Sequence, residues 1–151
     1  MGSFSLFHWL IVLILFGVPL FFVLRKPLTG PNRFGGLPPA MGFGQAIGSF
    51  FKNYVNFSGR ASRSEFWYSA LFASLVAVAL YIVDRSGTLR LIWSLATFLP
   101  GIAVAARRLH DVNRSGWWQL IGLLFPIGPV VLLVWYCRAS TVGDSREAVF
   151  A

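Results

Sequence analysis

Residues 66–83 read FWYSALFASLVAVALYIV, a run of 18 residues without a formal charge that ends at Asp84 and Arg85. At 1.5 Å per residue, a helix of this length approaches the ~30 Å thickness of the hydrocarbon core of a bilayer. Residues 4–24, 91–106 and 117–137 are further uncharged, mainly apolar runs. The pattern predicts an all-α membrane protein with about four transmembrane helices.

The composition of the whole chain indicates a membrane protein rather than a soluble domain. Of the 151 residues, 56% are hydrophobic and 12% are charged, and the mean hydropathy is +0.68. An average soluble domain is roughly 45–50% apolar and about 25% charged. The net charge of +8 does not predict nucleic-acid binding, because the basic residues stand between apolar runs, as the positive-inside rule requires. The single cysteine, Cys137, excludes an internal disulfide and a Cys-based zinc site.

The chain divides into four predicted parts. Residues 1–26 form a transmembrane anchor rather than a signal peptide, because the basic residues follow the apolar run and no small-residue cleavage site is present. Residues 27–44 are rich in Gly and Pro and predict a linker. A three-helix membrane domain at 45–143 and a short tail at 144–151 complete the chain.

A short amphipathic helix is predicted just before the second span. Over residues 43–57, aromatic and aliphatic side chains recur at helical spacing, with polar side chains on the other face. A helix of this kind typically lies in the membrane interface.

Basic residues are unequally distributed between the two sides of the predicted membrane. Nine Lys and Arg lie in the loops after the first and third spans, whereas the opposite side receives four, namely Arg85, Arg90, Arg138 and Arg146. The positive-inside rule therefore places the nine on the cytoplasmic side. With four spans, both termini are predicted to lie outside the cytoplasm.

Two polar motifs lie at the cytoplasmic ends of the second, third and fourth spans. The first is FSGRASRSEFW at residues 57–67, and the second is RRLHDVNRSGWW at residues 107–118. Ser62 and Glu65 form a predicted capping box at the start of the second span. Ser115 is placed to cap the fourth span.

Because both motifs face the same side of the membrane, we expect them to form one cluster of ion pairs. Exposed pairs contribute only ~0–1 kcal/mol, but burial raises the cost of removing one partner. The expected pairs are Glu65 with Arg107 or Arg108, and Asp111 with Arg60 or Arg63.

The two motifs resemble those of the YhaH-like family of small bacterial inner-membrane proteins, a domain-of-unknown-function family. The resemblance covers roughly residues 50–143. It implies a three-span core in the inner membrane with cytoplasmic motifs, and no established activity. The residues that carry it are Phe57, Gly59, Arg60, Arg63, Glu65, Phe66 and Trp67 in the first motif, and Arg107, Arg108, Leu109, His110, Asp111, Arg114, Ser115, Trp117 and Trp118 in the second.

The motifs do not predict an enzyme. His110, Asp111, Glu65 and Ser115 could offer a base, a carboxylate and a nucleophile. However, the adjacent His110 and Asp111 point in different directions on a helix, and no nucleophile motif or metal-ligand spacing accompanies them. We therefore predict no catalytic, cofactor or metal-binding residues.

The leading hypothesis is a non-enzymatic structural or interaction module of the inner membrane. Its basic cytoplasmic face would contact anionic lipid headgroups, a membrane-protein partner or a second copy of the chain. A small oligomeric channel or transporter component is the alternative, although the later spans contain few polar residues. The residues assigned to this face are Arg60, Arg63, Glu65, Trp67, Arg107, Arg108, His110, Asp111, Arg114, Trp117 and Trp118.

Overall fold

The computed structural model describes residues 31–142. The predicted anchor at 1–26 and the predicted tail at 144–151 lie outside the described residues. Within the described range every regular element is a helix, which confirms the all-α prediction for this part of the chain. The elements are α1 (Phe43–Lys52), α2 (Arg63–Val83), α3 (Thr88–Asp111), a 3₁₀ helix (Gly116–Leu123) and α4 (Ile127–Cys137).

Two helices of the described chain, α2 and α3, are long and apolar enough to cross a membrane. They contain 21 and 24 residues, which corresponds to about 31 and 36 Å of helix. They confirm helices at the predicted second and third spans. Helix α3 is longer than the predicted run at 91–106 because its last turns continue through Arg107 and Arg108, which are buried.

The turn between α2 and α3 is built around Asp84. The Asp84 carboxylate accepts hydrogen bonds from the Ser86 backbone N–H at 3.1 Å and from the Ser86 hydroxyl at 2.6 Å. The hydroxyl bond lowers the pKa of the Asp84 carboxyl. Gly87 precedes α3 with φ of 82°, a left-handed conformation that favours glycine. The turn therefore needs only local contacts to reverse the chain.

Helix α1 packs against the amino-terminal half of α2. Ala46 is fully buried, and the Ser69 hydroxyl of α2 donates to the Ala46 carbonyl oxygen at 3.3 Å. The helix ends at Lys52, five residues before the end of the predicted amphipathic segment at 43–57. The prediction of a helix is confirmed over this shorter range, and its position in the membrane interface stays a prediction.

The predicted fourth span at 117–137 is wrong as a single helix. The segment is divided into the 3₁₀ helix and the 11-residue α4. Pro126 lies between them, and because proline has no N–H and its ring clashes with the carbonyl four residues earlier, a continuous helix cannot pass through it. Each arm is about 16 Å long, half the thickness of the hydrocarbon core.

The two arms approach each other at Gly128. A Cβ at this position would lie 1.7 Å from the Ile121 carbonyl oxygen, so only glycine allows the backbones this close. On the inner side Leu132 packs with Leu109 and Val112 of the α3 end. The two arms therefore form a hairpin that is packed against α3.

Both ends of this hairpin lie beside the carboxyl end of α3. The 3₁₀ helix starts five residues after Asp111. After α4, the Thr141 N–H donates to the Asp111 carbonyl oxygen at 3.0 Å, and the Ser140 hydroxyl donates to the Asp111 carboxylate at 2.7 Å. The chain thus leaves the motif end of the molecule and returns to it.

Candidate functional site: a buried ion-pair cluster

The two motifs meet where α2 begins and α3 ends. The Ala61 N–H donates to the Arg107 carbonyl oxygen at 3.0 Å, which joins the two segments through their backbones. Ser62 caps α2 by accepting from the Glu65 N–H at 3.2 Å, which confirms one half of the predicted capping box, whereas the Glu65 carboxylate binds Ser49 and Arg107. The amino end of α2 is therefore fixed against the carboxyl end of α3.

Glu65 is the centre of the first ion pair. Its carboxylate lies 2.7 Å from the Arg107 guanidinium and accepts a hydrogen bond of 2.7 Å from the Ser49 hydroxyl of α1. Glu65 is only 1% exposed. The predicted pairing of Glu65 with Arg107 or Arg108 is confirmed with Arg107. Because the carboxylate also binds Ser49, it joins α1, α2 and α3.

Asp111 is the centre of the second group. Arg60 donates to one carboxylate oxygen from Nε at 2.9 Å and from a terminal nitrogen at 2.8 Å. Arg108 pairs with the other oxygen, and the Ser140 hydroxyl donates to the same atom at 2.7 Å. The predicted pairing of Asp111 with Arg60 or Arg63 is confirmed with Arg60, while Arg108 is a second partner that was not expected for Asp111.

The two arginines beside Asp111 also bind backbone carbonyls of distant segments. Arg108 donates to the Tyr136 carbonyl at 3.1 Å and to the Arg138 carbonyl. Arg60 donates to the carbonyls of Gly35 and Thr141, each at 3.1 Å. Each guanidinium therefore connects a carboxylate to segments that lie far away in the sequence.

The described part of the predicted linker at 27–44 is docked on this cluster. The Asn32 side chain donates to the His110 carbonyl oxygen at 2.9 Å. The Phe34 ring stacks on the His110 ring with centroids 4.1 Å apart and planes 7° apart. His110 Nδ1 lies 3.0 Å from the Gly59 carbonyl oxygen, which identifies Nδ1 as the donor. Residues 31–35 are thus part of the site rather than a free tether.

Most of the predicted site residues are inside the molecule. Seven of the eleven are at most 8% exposed, namely Arg60, Arg63, Glu65, Trp67, Arg107, Arg108 and Asp111. These side chains are therefore not open to a headgroup or a partner in this structure. The assignment of these seven to a lipid- or partner-facing surface is therefore corrected to an internal role. The hypothesis of an outward-facing role stays a prediction for the other four, His110, Arg114, Trp117 and Trp118.

The outward-facing residues form an aromatic and basic edge beside the cluster. The Arg114 guanidinium lies 4.0 Å from the centroid of the Trp135 ring. Trp118 packs edge-on against Trp135, with centroids 5.5 Å apart. Trp117 is 79% exposed. Stacked Arg and Trp side chains of this kind suit the headgroup region of a membrane.

Sequence reasoning missed five polar contributors to the site. Ser49 and Ser140 bind the two carboxylates, Asn32 binds the end of α3, and Arg33 and Arg138 lie exposed next to the cluster. None of these lies within either motif. The clustering of Asn32 and Arg33 inside a Gly- and Pro-rich stretch was the one available signal. Among residues 31–142, no group of three His, Cys, Asp or Glu side chains is arranged to hold a metal ion.

Comparison with known proteins decides the family. The family described as "Protein of unknown function (DUF805)" matches residues 54–146, which include both motifs and the carboxylates of Glu65 and Asp111 with their arginine partners. The chain belongs to the DUF805 family. The predicted family resemblance is therefore confirmed, and the chain is a membrane protein.

Two curated members of similar sequence come from Escherichia coli K12. Inner membrane protein YhaI is 43% identical over 103 residues, which cover 65% of this chain and 87% of YhaI. Inner membrane protein YhaH is 39% identical over 104 residues, which cover 63% of this chain and 86% of YhaH. No solved structure matches the chain.

Proposed function

We propose that this DUF805 protein is a non-enzymatic module of the bacterial inner membrane, whose motif face lies in the cytoplasm and contacts anionic lipid. The observation that carries the proposal is a difference in burial among the basic residues. Arg60, Arg107 and Arg108 are buried in carboxylate pairs. Around them, Arg33 and Arg138 are exposed and Arg114 is partly exposed.

The topology proposed with this function has two complete spans and one re-entrant hairpin in the described residues. The hairpin tip is strongly apolar and exposed, with Leu123 at 82% and Phe125 at 86%. Such a tip would be unfavourable in water and fits the interior of a bilayer. Because the hairpin returns to the motif face, this topology replaces the expectation of an external carboxyl terminus.

The distribution of basic residues supports the revised topology. Moving Arg138 and Arg146 to the motif side changes the ratio from nine against four to eleven against two. The two that stay on the other side are Arg85 and Arg90. The positive-inside bias is therefore stronger for a re-entrant hairpin than for four complete spans.

The surface arginines give the module its preference for anionic lipid. A cation near an anionic membrane surface contributes about 1 kcal/mol. The buried ion pairs hold the ends of α2, α3 and α4 in one fixed arrangement, so the surface arginines are presented on a rigid frame. We infer a structural role because the charged groups of the motifs are used to join chain segments.

Lipid retention of the purified full chain tests the proposal. Native mass spectrometry in detergent containing equal phosphatidylglycerol and phosphatidylcholine should show preferential retention of phosphatidylglycerol. The triple variant Arg33→Gln, Arg114→Gln, Arg138→Gln should lose this preference, whereas the control Arg85→Gln, Arg90→Gln should keep it. Equal retention of both lipids by the unmodified chain, or retention of a protein partner without lipid preference, would contradict the proposal.

A further inference from the structure

An open groove of about 860 Å³ lies between α3 and the 3₁₀ helix. Its floor is a stripe of α3 residues spaced four apart, Phe98, Ile102, Ala106 and His110. Leu120 and Leu123 of the 3₁₀ helix form one wall. The volume falls in the range of about 300–1,000 Å³ that is typical of sites for small ligands.

The groove changes from polar to apolar along its length. At the motif end it is lined by His110, Ser58 and Ser115, whereas Phe98 and Leu123 line the other end. His110 and Phe98 are twelve positions apart, which corresponds to about 18 Å of helix. One leaflet contributes ~15 Å of hydrocarbon, so the groove is about as long as one leaflet is deep.

A positive charge lies at the polar end of the groove. Phe34 lines the groove and is stacked on His110. The Arg33 guanidinium lies 4.8 Å from the centroid of the Phe34 ring, and Arg33 also donates to the Asn113 carbonyl at 3.2 Å. Serine hydroxyl donors therefore line this end of the groove and a guanidinium lies beside it, behind Phe34, a combination that suits a phosphate group.

The close approach of the 3₁₀ helix to α3 narrows the groove at its motif end. A Cβ at Gly116 would lie 3.0 Å from the Ala106 Cβ and 3.5 Å from His110 Nε2. Two small residues thus bring the helices together at the mouth, while larger side chains hold them apart below. The groove is therefore narrow at the motif end, wider below, and open along one side.

We infer that this groove binds one anionic phospholipid, with an acyl chain between α3 and the 3₁₀ helix and the phosphate at Arg33, Ser58 and Ser115. The inference rests on the proposed function and adds to it a defined acyl-chain site. An apolar groove about as long as one leaflet is deep, with the Arg33 guanidinium beside its polar end, matches both parts of such a lipid. Basic pockets between helices at the cytoplasmic side bind lipid headgroups in this way.

The test uses phosphatidylglycerol with a photoreactive diazirine near the middle of one acyl chain, added to the full chain in phosphatidylcholine nanodiscs. Cross-links should concentrate on Ile102 and Leu120. Ile102→Trp, which fills the groove, should reduce the labelling of Leu120 at least tenfold. The control Leu95→Trp, on the same helix but outside the groove, should leave it unchanged.

A second experiment distinguishes binding of the lipid headgroup from binding of the acyl chain. Arg33→Gln should weaken labelling by phosphatidylglycerol about fivefold, the equivalent of about 1 kcal/mol, and leave labelling by the phosphatidylcholine analogue unchanged. Excess glycerol 3-phosphate should not compete, because it has no acyl chain. Competition by glycerol 3-phosphate would overturn the inference in favour of a soluble phosphate ligand.

Two labelling patterns would overturn the groove assignment. One is equal labelling of Ile102 and the lipid-exposed Leu95, which indicates ordinary surrounding lipid. The other is an absence of lipid labelling together with disulfide cross-linking of Ile102→Cys to cysteines placed in residues 4–24, which would identify the first span as the occupant. In either case a preference for phosphatidylglycerol in the mass spectrometry experiment would leave the proposed function standing.

Discussion

The Arg108 guanidinium donates from Nε to the Tyr136 carbonyl oxygen at 3.1 Å, across 28 residues of sequence. The same side chain pairs with Asp111 on its own helix and donates to the Arg138 carbonyl. The last carbonyls of a helix have no partner within it, and here Arg108 supplies donors to the end of α4. Arg108 is fully buried, so water cannot replace it.

Arg108→Lys should therefore release the end of α4 while keeping a positive charge beside Asp111. A lysine ammonium is a single point of charge and cannot reach the carboxylate and both carbonyls together. We expect a loss of about 1.5–3 kcal/mol of unfolding free energy. Hydrogen exchange should become faster at residues 136–142 and stay unchanged within α2.

The matched control for this variant is Arg85→Lys, in the exposed turn after α2. It should change neither stability nor exchange. If Arg108→Lys leaves hydrogen exchange at residues 136–142 unaltered, the role assigned to Arg108 at the end of α4 is wrong.

Glu65→Gln should destabilise the protein by about 3–5 kcal/mol, because it leaves the buried Arg107 guanidinium without a counter-charge. Unfolding in mixed detergent micelles measures the change. The double variant Glu65→Leu, Arg107→Met should lose much less than the sum of the two single changes, since it removes both charges together.

Glu147→Gln is the control for Glu65→Gln, since it removes the same charge from the tail outside the described residues. It should alter stability by less than about 0.5 kcal/mol. Equal effects of the two Gln variants would show that the Glu65–Arg107 pair does not contribute to stability.

The pairing of the two motifs was predictable because it follows from the lengths of the apolar runs and from the spacing of a helix cap. The long uncharged runs fix α2 and α3, and the reversal of the chain between these two helices brings Glu65 to Arg107 and Asp111 to Arg60. The capping role of Ser62 follows from its spacing to Glu65. These features depend on local pattern and on membrane thickness alone.

The hairpin at 116–137 was missed because hydropathy measures composition rather than continuity. Twenty-one uncharged residues satisfy the length criterion for a span, although Pro126 interrupts the helix and Gly128 allows the two arms to touch. The burial of the motif arginines was missed for a related reason. Charge counts cannot show whether Arg60 faces a headgroup or a carboxylate.

Gly128→Ala tests the contact between the hairpin arms. The new Cβ would meet the Ile121 carbonyl oxygen at 1.7 Å, and because this is backbone, relief requires the arms to separate. We expect the free energy of unfolding to fall by about 1–3 kcal/mol. Gly101→Ala in α3 is the control, because nothing lies within 4 Å of its added Cβ.

The re-entrant path of residues 116–137 is tested most directly by the side of the membrane that residue 142 reaches. Single cysteines replace the exposed residues Ser58, Ser86 and Val142 in a Cys137→Ser background, and a membrane-impermeant thiol reagent is applied to intact spheroplasts and to inverted vesicles. If the hairpin is re-entrant, Val142→Cys is labelled from the same side as Ser58→Cys, on the motif face, and Ser86→Cys from the other. Labelling of Val142→Cys together with Ser86→Cys would show that residues 116–137 cross the membrane and would rule out a re-entrant hairpin.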